Sequence, residues 1–451
     1  MHLPRILLAA TSSGSGKTLL TCGILQTLVN RGLKVSSFKC GPDYIDPMFH
    51  TTVIGTHSRN LDTYFTDEKT TRYLLARNSQ GMDIAVMEGV MGFYDGVGVT
   101  TTASSYDLAR VTGTPVILLV NGKGMSLTMI SMIQGMINFR EDANIQGVIL
   151  NQVSQSTYGS LKELIERECG VDVLGYVPNV QDYTLESRHL GLVTPEEIVD
   201  LREKLESLAS ILETCIDIEG LIDIAEQAPH FRYKRPELPK LDTTVRVGVA
   251  RDSAFCFYYE DNLELMEEMG AELVEFSPMH DAHLPDNIDA LYLGGGYPEL
   301  YTHELSANES MKKDIREKLE GGMSCMAECG GFMYLQEEME DMKGFTVPMV
   351  GFLPGHSYHT DRATRFGYVE LIPKEGEVPW ENHTTTKGHE FHYFDSTDCG
   401  DTFIAKKPTL KKQWACIQTK KNTMAGFPHL YYYSNPSAAF EFLQRAVKNH
   451  D

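Results

Sequence analysis

The chain has 451 residues, more than one ordinary core accommodates, so we expect two or three domains. Hydrophobic residues make up 42% of the sequence and charged residues 23%, proportions that exclude wholesale disorder. The net charge of -22 argues against a nucleic-acid binder, because phosphate contacts require a basic surface.

The first half of the chain alternates short apolar runs with helical stretches. The runs are rich in β-branched residues, which is typical of buried parallel strands. Such alternation indicates an open α/β sheet covered by helices. A charged amphipathic stretch then predicts one long helix from Pro195 to about residue 226. The predicted strands are Ile6–Ala10, Val35–Lys39, Ile84–Met87, Val116–Val120 and Gly147–Leu150, and the helices between them include Leu19–Arg31 and Gly124–Phe139.

A polar segment with three prolines separates the two halves, and we predict that residues 228–243 form a linker. We therefore expect one domain over residues 1–227 and a second over residues 244–451. The alternation restarts after the linker with strands Val245–Ala250, Leu273–Phe276, Ala290–Leu293 and Cys325–Ala327, and a helix near Asn262–Met269.

A loop rich in serine and glycine connects the first predicted strand to the first helix. The residues expected to bind ATP are Ser13, Gly14, Ser15, Gly16, Lys17 and Thr18. The glycines let backbone N–H groups turn toward phosphate oxygens, the lysine neutralises the β- and γ-phosphates, and the threonine hydroxyl binds Mg²⁺. Thr11 stands where the standard pattern has a further glycine, so the loop is a variant form.

Acidic residues follow the next two strands. Asp43 and Asp46 come after Val35–Lys39, and Glu88 comes directly after Ile84–Met87. Because ligands gather at the carboxyl ends of strands in open α/β sheets, these side chains should face the phosphates. Carboxylates suit Mg²⁺, which keeps several waters and few protein ligands. We therefore predict a metal role among these three residues.

In the second half, Cys329 lies between a predicted strand and a predicted helix. A cysteine at such a turn is exposed, and the helix N-terminus is expected to lower its pKa. The N–H of Gly330 can donate to an oxyanion, and Gly295 and Gly296, after the strand Ala290–Leu293, offer a second donor. This equipment suits acyl transfer through a thioester. For Cys325, close by in sequence, we expect only a packing role.

Three histidines are candidate bases for this thiol: His389, His392 and His429. The residues alone do not choose among them. The nine cysteines are odd in number and scattered, which indicates a reducing compartment without disulfides. Since no apolar run reaches the roughly 18 residues of a spanning helix, we expect a cytoplasmic protein with no membrane partner.

Taken in order, the motifs resemble the cobyrinate a,c-diamide synthase family. That family joins a dethiobiotin-synthetase-like P-loop domain to a class-I-like glutamine amidotransferase domain. The resemblance implies two doubly wound α/β domains, an N-terminal P-loop NTPase-like domain and a C-terminal flavodoxin-like amidotransferase domain. The motifs that carry it are SSGSGKT, KCGPDYIDP, SRNLDTYF, MEGVMGFYDG, PVILLV, GVILNQV, SRHLGLV, VARDSAFCFYYEDNLELM, FSP, LGGGYPEL, AECGGFMYL and GHEFHY.

The resemblance implies a reaction with two coupled sites. Glutamine, the ammonia donor, is hydrolysed at Cys329 with His429 as general base. ATP with Mg²⁺ phosphorylates acetate side chains of a tetrapyrrole polycarboxylate, and ammonia displaces the phosphate at the a and c acetates. In this reading Thr18, Asp43 and Glu88 bind the metal and Asp46 contacts the substrate. A homodimer is left open.

Two residues depart from the family pattern. Pro428 precedes the proposed base, and Tyr431 stands two residues after it, where ordinary class-I amidotransferases have a glutamate. The alternatives are the same a,c-diamidation of hydrogenobyrinate or nickel-sirohydrochlorin, and cobyrate synthase, which amidates other side chains. A more distant alternative is a P-loop partitioning or scaffold ATPase, which leaves the second domain unexplained.

Overall fold

The computed structural model describes residues 1–178, 195–374 and 385–448. Contacts divide the chain into two units, Met1–Pro236 and Glu237–Asp451, and the division falls within residues 228–243. The motif SRHLGLV, at residues 187–193, lies outside the described residues.

A parallel sheet runs through the first unit. Its strands within residues 1–178 are β1 (Arg5–Ala10), β2 (Val35–Cys40), β3 (His57–Leu61), β4 (Ile84–Glu88), β5 (Val116–Asn121), β6 (Ile145–Asn151) and β7 (Asp172–Val177). They pair in the order β3-β2-β4-β1-β5-β6-β7, and every pairing is parallel. The carboxyl ends of β1, β2 and β4 therefore meet at one edge, where the phosphate loop and the acidic residues emerge.

Helices cover this sheet. Those described are α1 (Lys17–Asn30), α2 (Ile45–Phe49), α3 (Glu68–Asn78), α4 (Ser105–Thr112), α5 (Leu127–Asn138), α6 (Gln155–Cys169), α7 (Pro195–Cys215) and α8 (Ile218–Glu226), with a π-helical turn at His50–Ile54. Helix α1 packs closely on α7, because a Cβ at Gly23 would lie 2.4 Å from Leu212 Cδ1. Leu208 and Leu212 are buried in this contact, in the core of the unit.

The prediction of one long helix after residue 195 is wrong. The segment breaks into α7 and α8 around Asp217, whose side chain accepts a 2.9 Å hydrogen bond from the N–H of Gly220 and so caps α8. Ile216 forms a β-bridge with Gly175, at the edge of the sheet. Because the capping aspartate lies within an amphipathic run, the apolar pattern continues across it and does not reveal that a second helix begins.

The second unit is built on another, mainly parallel sheet. Its strands are β8 (Val245–Ala250), β10 (Ala271–Phe276), β11 (Ala290–Leu293), β13 (Ser324–Glu328), β22 (Gln418–Lys420) and β23 (Thr423–Gly426), with the two-stranded pair β9 (Phe255–Phe257) and β12 (Gly295–Gly296) beside it. The order is β10-β8-β11-β13-β23-β22, parallel apart from the pair β22–β23. The described helices of this unit are α9 (Glu260–Met269), α10 (Thr302–Ala307), α11 (Glu309–Glu320), α12 (Gly330–Leu335) and α13 (Pro436–Lys448).

Two further sheets in the second unit were not predicted. One contains β14 (Glu338–Glu340), β15 (Thr346–Pro348), β16 (His356–His359) and β19 (Phe394–Ser396). The other is antiparallel and contains β17 (Arg365–Pro373), β18 (Thr386–His392), β20 (Phe403–Lys406), β21 (Gln413–Cys416) and β24 (His429–Leu430). The second sheet matters for the site, because it carries all three candidate histidines.

The ends of the segment 228–243 pack on their own units. The buried Arg5 side chain donates hydrogen bonds to the carbonyls of Thr112 and Pro229, and its guanidinium stacks on the Phe231 ring. At the other end, the N–H of Leu241 donates to the carbonyl of Met269. No helix in the described part of the chain is long and apolar enough to cross a membrane.

Candidate active sites

The phosphate loop connects β1 to α1. Gly14 and Gly16 adopt φ angles of 76° and 87°, in the left-handed region that favours glycine. Asn151, at the end of β6, donates a 2.8 Å hydrogen bond from Nδ2 to the Ser15 carbonyl. A Cβ at Gly16 would lie 2.7 Å from this Nδ2 atom. The glycine therefore allows the asparagine to hold the loop, a role that the sequence analysis missed although the motif GVILNQV contains Asn151.

Some polar side chains of the phosphate loop form hydrogen bonds within the protein. The Ser15 hydroxyl donates to the carbonyl of Ser12, and Ser15 is buried, whereas Ser13 and Gly14 are exposed. Lys17 Nζ donates a 2.7 Å hydrogen bond to the Met91 carbonyl. Burial lowers the pKa of Lys17, and the charge of Lys39 acts in the same direction. The Lys17 ammonium is thus held beside another cation, which favours a bound anion.

Glu88 is the centre of a buried polar cluster. Its Oε1 atom accepts hydrogen bonds from the Thr18 hydroxyl at 2.8 Å and from Lys39 Nζ at 2.7 Å. Burial raises the pKa of Glu88 to about 7, against the opposing effect of Lys39. Burial also acts to lower the pKa of Lys39, but the carboxylates of Glu88 and Asp46 outweigh it and hold that pKa well above its usual value. Lys39 was not among the predicted site residues.

Asp43 and Asp46 take different positions. Asp43 Oδ1 accepts hydrogen bonds from the backbone N–H groups of Ile45 and Asp46, the first two residues of α2. The Asp46 carboxylate accepts a hydrogen bond from Lys39 Nζ, which joins it to Glu88. Among the described residues, no group of three His, Cys, Asp or Glu side chains is placed to hold a metal. The structure therefore brings Thr18, Glu88 and Asp46 into one network, with Asp43 bound to the adjoining backbone.

Cys329 lies at a sharp turn between β13 and α12, with φ 48° and ψ −102°. Its N–H donates to the Gly426 carbonyl at 2.8 Å, and the N–H of Gly331 donates to the Gly294 carbonyl at 2.9 Å. A Cβ at Gly331 would lie 2.2 Å from the Leu293 carbonyl oxygen. Glycine is required there, because the turn is pressed against the end of β11.

The glycine strand β12 lies between the cysteine turn and His429. A Cβ at Gly330 would be 3.3 Å from the Gly296 nitrogen, and a Cβ at Gly295 would be 2.4 Å from His429 Cε1. The N–H of Gly294 donates to the Tyr258 hydroxyl at 2.8 Å. The predicted residues Cys329, Gly330, Gly295, Gly296 and His429 thus converge.

The three candidate histidines lie close together. In the antiparallel sheet His389 on β18 pairs with His429 on β24, and their rings stack 5.0 Å apart. The ring nitrogens of His392 contact the Phe394 carbonyl and the Glu390 carboxylate. Burial lowers the pKa of His429 well below its usual value, and His389 and His392 act in the same direction. His429 is therefore neutral at pH 7, the form in which an imidazole accepts a proton.

The expected low pKa of the Cys329 thiol is wrong. Cys329 is only 8% exposed, and burial raises its pKa, with the charges of Glu299 and Glu390 acting in the same direction. The thiol consequently needs a base to remove its proton. Cys325 is fully buried in the core of the second unit, in accord with a packing role.

Sheet topology and site geometry together define a class: a nucleotide-binding α/β unit followed by a glutamine amidotransferase unit. A family model described as a CobQ/CobB/MinD/ParA nucleotide binding domain matches residues 6–193. A model described as a CobB/CobQ-like glutamine amidotransferase domain matches residues 246–437. These matches confirm the predicted fold class.

Proteins of similar sequence identify the family within this class. A protein named cobyrinate a,c-diamide synthase from Caldanaerobacter subterraneus subsp. tengcongensis is 39% identical, over 97% of this chain and 97% of its own. Proteins of the same name from Clostridium tetani and Clostridium acetobutylicum are each 41% identical, over 98% of this chain and 99% of theirs. The chain belongs to the cobyrinate a,c-diamide synthase family. The resemblance is confirmed, and the partitioning-ATPase alternative is not borne out, since the match runs through both units.

Proposed function

We propose that this protein is a ligase of cobalamin biosynthesis that amidates the a and c acetate side chains of cobyrinate. It uses ATP and ammonia from glutamine. The relatives that match almost the whole chain carry the name of this activity. The proposed hydrolysis of glutamine is supported by one observation: the Cys329 turn and the His429 ring both lie against the glycine strand β12.

In the second unit, His429 removes the thiol proton of Cys329, and the sulfur attacks the carboxamide carbon of glutamine. The backbone donors proposed for the resulting oxyanion are those of Gly330, Gly295 and Gly296. The C–N bond then breaks, His429 returns the proton to the departing nitrogen, and ammonia leaves. Water hydrolyses the thioester to glutamate and restores the thiol. A buried, neutral thiol beside a neutral histidine supports this proton transfer in the pair.

In the first unit, the loop Ser13–Thr18 binds the triphosphate of ATP through its backbone N–H groups and Lys17. An acetate oxygen of the macrocycle attacks the γ-phosphorus, and ADP leaves. Ammonia attacks the carbonyl carbon of this acyl phosphate, and phosphate leaves with the former acetate oxygen. Because a free carboxylate is a poor electrophile, the phosphorylation makes the amidation feasible. Asp46 is the residue we assign to the substrate.

We assign Mg²⁺ to Thr18 and Glu88, with Asp43 as a further carboxylate ligand. The Thr18 hydroxyl and Glu88 Oε1 are 2.8 Å apart, and Glu88 Oε2 accepts no hydrogen bond from any residue that the structure describes. Hard oxygen donors in small number suit this ion, which retains waters. When bound, Mg²⁺ neutralises negative charge on the β- and γ-phosphates.

The first test is phosphate release from ATP with glutamine, with cobyrinate, hydrogenobyrinate and nickel-sirohydrochlorin in parallel. We expect cobyrinate to stimulate turnover. Cys329→Ala should lose glutamine-dependent amidation and retain amidation with free ammonia. If only hydrogenobyrinate or nickel-sirohydrochlorin stimulated turnover, that macrocycle and not cobyrinate would be the substrate. If Cys329→Ala kept glutamine-dependent activity, the amidotransferase assignment would be overturned.

We also place the protein in the cytoplasm. All nine cysteines are free, including Cys169, Cys256 and Cys399, which are partly exposed. Free thiols at the surface persist in a reducing compartment. Localisation of a tagged chain in cell fractions tests this assignment.

A further inference from the structure

The base His429 lacks the acid that usually follows it in sequence. Tyr431 stands two residues later, and its hydroxyl donates to Asp261 Oδ2 at 3.3 Å. A carboxylate reaches the imidazole from another element instead. Glu328 Oε2 lies 4.0 Å from His429 Nδ1, and each of these two residues is only 2% exposed.

The sheet fixes this approach. Glu328 is the last residue of β13, directly before Cys329, and it pairs with Gly426 on the neighbouring strand β23. His429 begins β24 three residues after Gly426. The residue before the nucleophile and the base therefore come from adjoining chain segments. The carboxylate and the thiol are linked by one peptide unit, so their relative placement depends little on loop conformation.

Other groups around Glu328 form hydrogen bonds with its carboxyl. The Tyr432 hydroxyl donates to Glu328 Oε1 at 3.3 Å, and Tyr292 also acts as a hydrogen-bond partner of the carboxyl. The N–H of Leu430 bonds the same carboxyl and favours its charged form. The donors to the Glu328 carboxyl thus include two phenols and one amide, and Oε2 lies 4.0 Å from His429 Nδ1. The Tyr258 hydroxyl and the Cys329 thiol also interact electrostatically with this carboxyl.

Two other acids lie near the site, Glu299 and Glu390, and both act on the charge state of Cys329. The oxygens of Glu390 have partners elsewhere. Glu390 Oε2 contacts His392 Nε2 at 3.0 Å, and Oε1 accepts from Trp414 Nε1 at 3.2 Å. His429 itself faces the His389 ring across the sheet and the backbone of Gly295. Glu328 is therefore the carboxylate whose geometry suits the role of the missing acid.

We propose that Glu328 is the positioning residue of the glutaminase site, which orients His429 and stabilises its imidazolium form. The inference rests on the proposed glutaminase activity. In the active form of the site Glu328 is ionised, and it keeps its charge while the proton moves from Cys329 Sγ to His429 and then to the departing ammonia. The 4.0 Å separation shortens to a hydrogen bond when the imidazole becomes charged, as catalytic contacts do in complexes with substrate.

This role has a signature in the pH profile. Burial raises the pKa of Glu328 to about 8, although hydrogen bonds from Leu430, Tyr432 and Tyr292 oppose the shift. Glutaminase kcat should therefore rise with pH as Glu328 ionises. Removal of the carboxylate should abolish that rise. A role confined to packing would not produce a rise that depends on Glu328.

The experiment measures glutamate formation from glutamine by the full chain from about pH 6 to 9. Glu328→Gln should lower kcat by about 100-fold with little change in KM, and its profile should lack the rise. Asp261→Asn is the matched control, because Asp261 is another buried carboxylate that accepts a hydrogen bond from a tyrosine. Both variants should retain amidation with free ammonia. A Glu328→Gln enzyme with wild-type kcat and an unchanged profile would overturn the proposal.

A second variant covers the case in which Glu328→Gln does not fold. Tyr432→Phe removes a donor that favours the charged form of Glu328, so the rise in kcat should move to higher pH. An unmoved rise would count against the proposal. If the wild-type enzyme released no glutamate and Cys329→Ala changed nothing, the proposed function itself would fail, which is a different result.

Discussion

The Thr18 hydroxyl donates a 2.8 Å hydrogen bond to Glu88 Oε1. This contact joins the start of α1, which follows the phosphate loop, to the carboxyl end of β4. The two residues are 70 positions apart in the chain, and the parallel pairing of β1 with β4 brings them together. A hydroxyl and a carboxylate in contact beside a phosphate loop form the core of the metal site proposed above.

Glu88→Gln should abolish most ATP-dependent amidation while glutamine hydrolysis continues. The amide keeps the shape of the side chain but loses the charge that attracts Mg²⁺. We expect a loss of at least about 100-fold, since even groups outside the ligand shell of a metal cost about 10–100-fold. ADP formation with free ammonia, measured against Mg²⁺ concentration, checks this.

Thr18→Ser keeps the hydroxyl and should retain most activity, whereas Thr18→Val should not. The control is Glu163→Gln, which removes an exposed carboxylate from α6 in the same unit. If Glu88→Gln were as active as the control, the assignment of Glu88 as a metal ligand would be contradicted.

Asn151→Ala should raise the KM for ATP without affecting the glutaminase. The side chain holds the Ser15 carbonyl at 2.8 Å, and its loss frees the loop. One hydrogen bond of about 1 kcal/mol corresponds to an effect of roughly 5- to 10-fold. Asn138→Ala is the matched control, because that amide donates to the Gln134 carbonyl on exposed α5. An unchanged KM for ATP would show that the loop does not need Asn151.

Gly295→Ala should impair glutamine hydrolysis specifically. A Cβ there would lie 2.4 Å from His429 Cε1, so the imidazole has to move. Displacement of a catalytic group by about 1 Å costs about 100-fold in rate. Steady-state glutaminase assays measure the loss, and amidation with free ammonia should continue.

The matching control for Gly295→Ala is Gly159→Ala on α6. A Cβ at Gly159 meets no atom within 4 Å, so this change should leave both activities intact and stabilise the helix by about 1 kcal/mol. Full glutaminase activity in Gly295→Ala would contradict the placement of His429 over the glycine strand.

Glu328 should also make the stability of the second unit depend on pH. Its pKa in the folded protein is about 8, against 4.5 for an ordinary glutamate, so the folded state holds the proton more tightly. The contribution is fully present below pH 4.5 and is lost as pH rises through about 8. Urea unfolding across this range should show a decline for the wild type that Glu328→Gln lacks. Cys329→Ala, which keeps Glu328, should retain the decline, and identical curves for all three proteins would contradict the raised pKa.

Local sequence predicted much of the fold and part of the site. Apolar runs predicted five of the seven described strands of the first sheet and four of the six of the second, since a strand buried on both faces is apolar throughout. Strands β3, β7, β22 and β23 were not predicted. The loop Ser13–Thr18 and the turn at Cys329 were visible because each needs glycines at fixed offsets from its reactive residue. The antiparallel sheet that carries His389 and His429 was missed, because its half-polar strands lack a continuous apolar run.

Other properties depended on residues distant in the chain. The pKa of Cys329 rises because the whole second unit buries the thiol, an effect that the helix following it does not reveal. Asn151 reaches the phosphate loop from 136 positions away. A hydrogen-bonding side chain at the end of a strand gives no sign of its target until the strand order is known.

The sequence by itself determined the order of the two α/β units, the phosphate loop and the nucleophile, because each depends on contiguous residues. The tertiary structure alone decided which groups surround Glu88, and which acid faces His429. Strand pairing sets those contacts, and burial then sets the pKa values, so neither can be read along the chain. The acid missing two residues after His429 is accordingly found 101 positions before it, at Glu328.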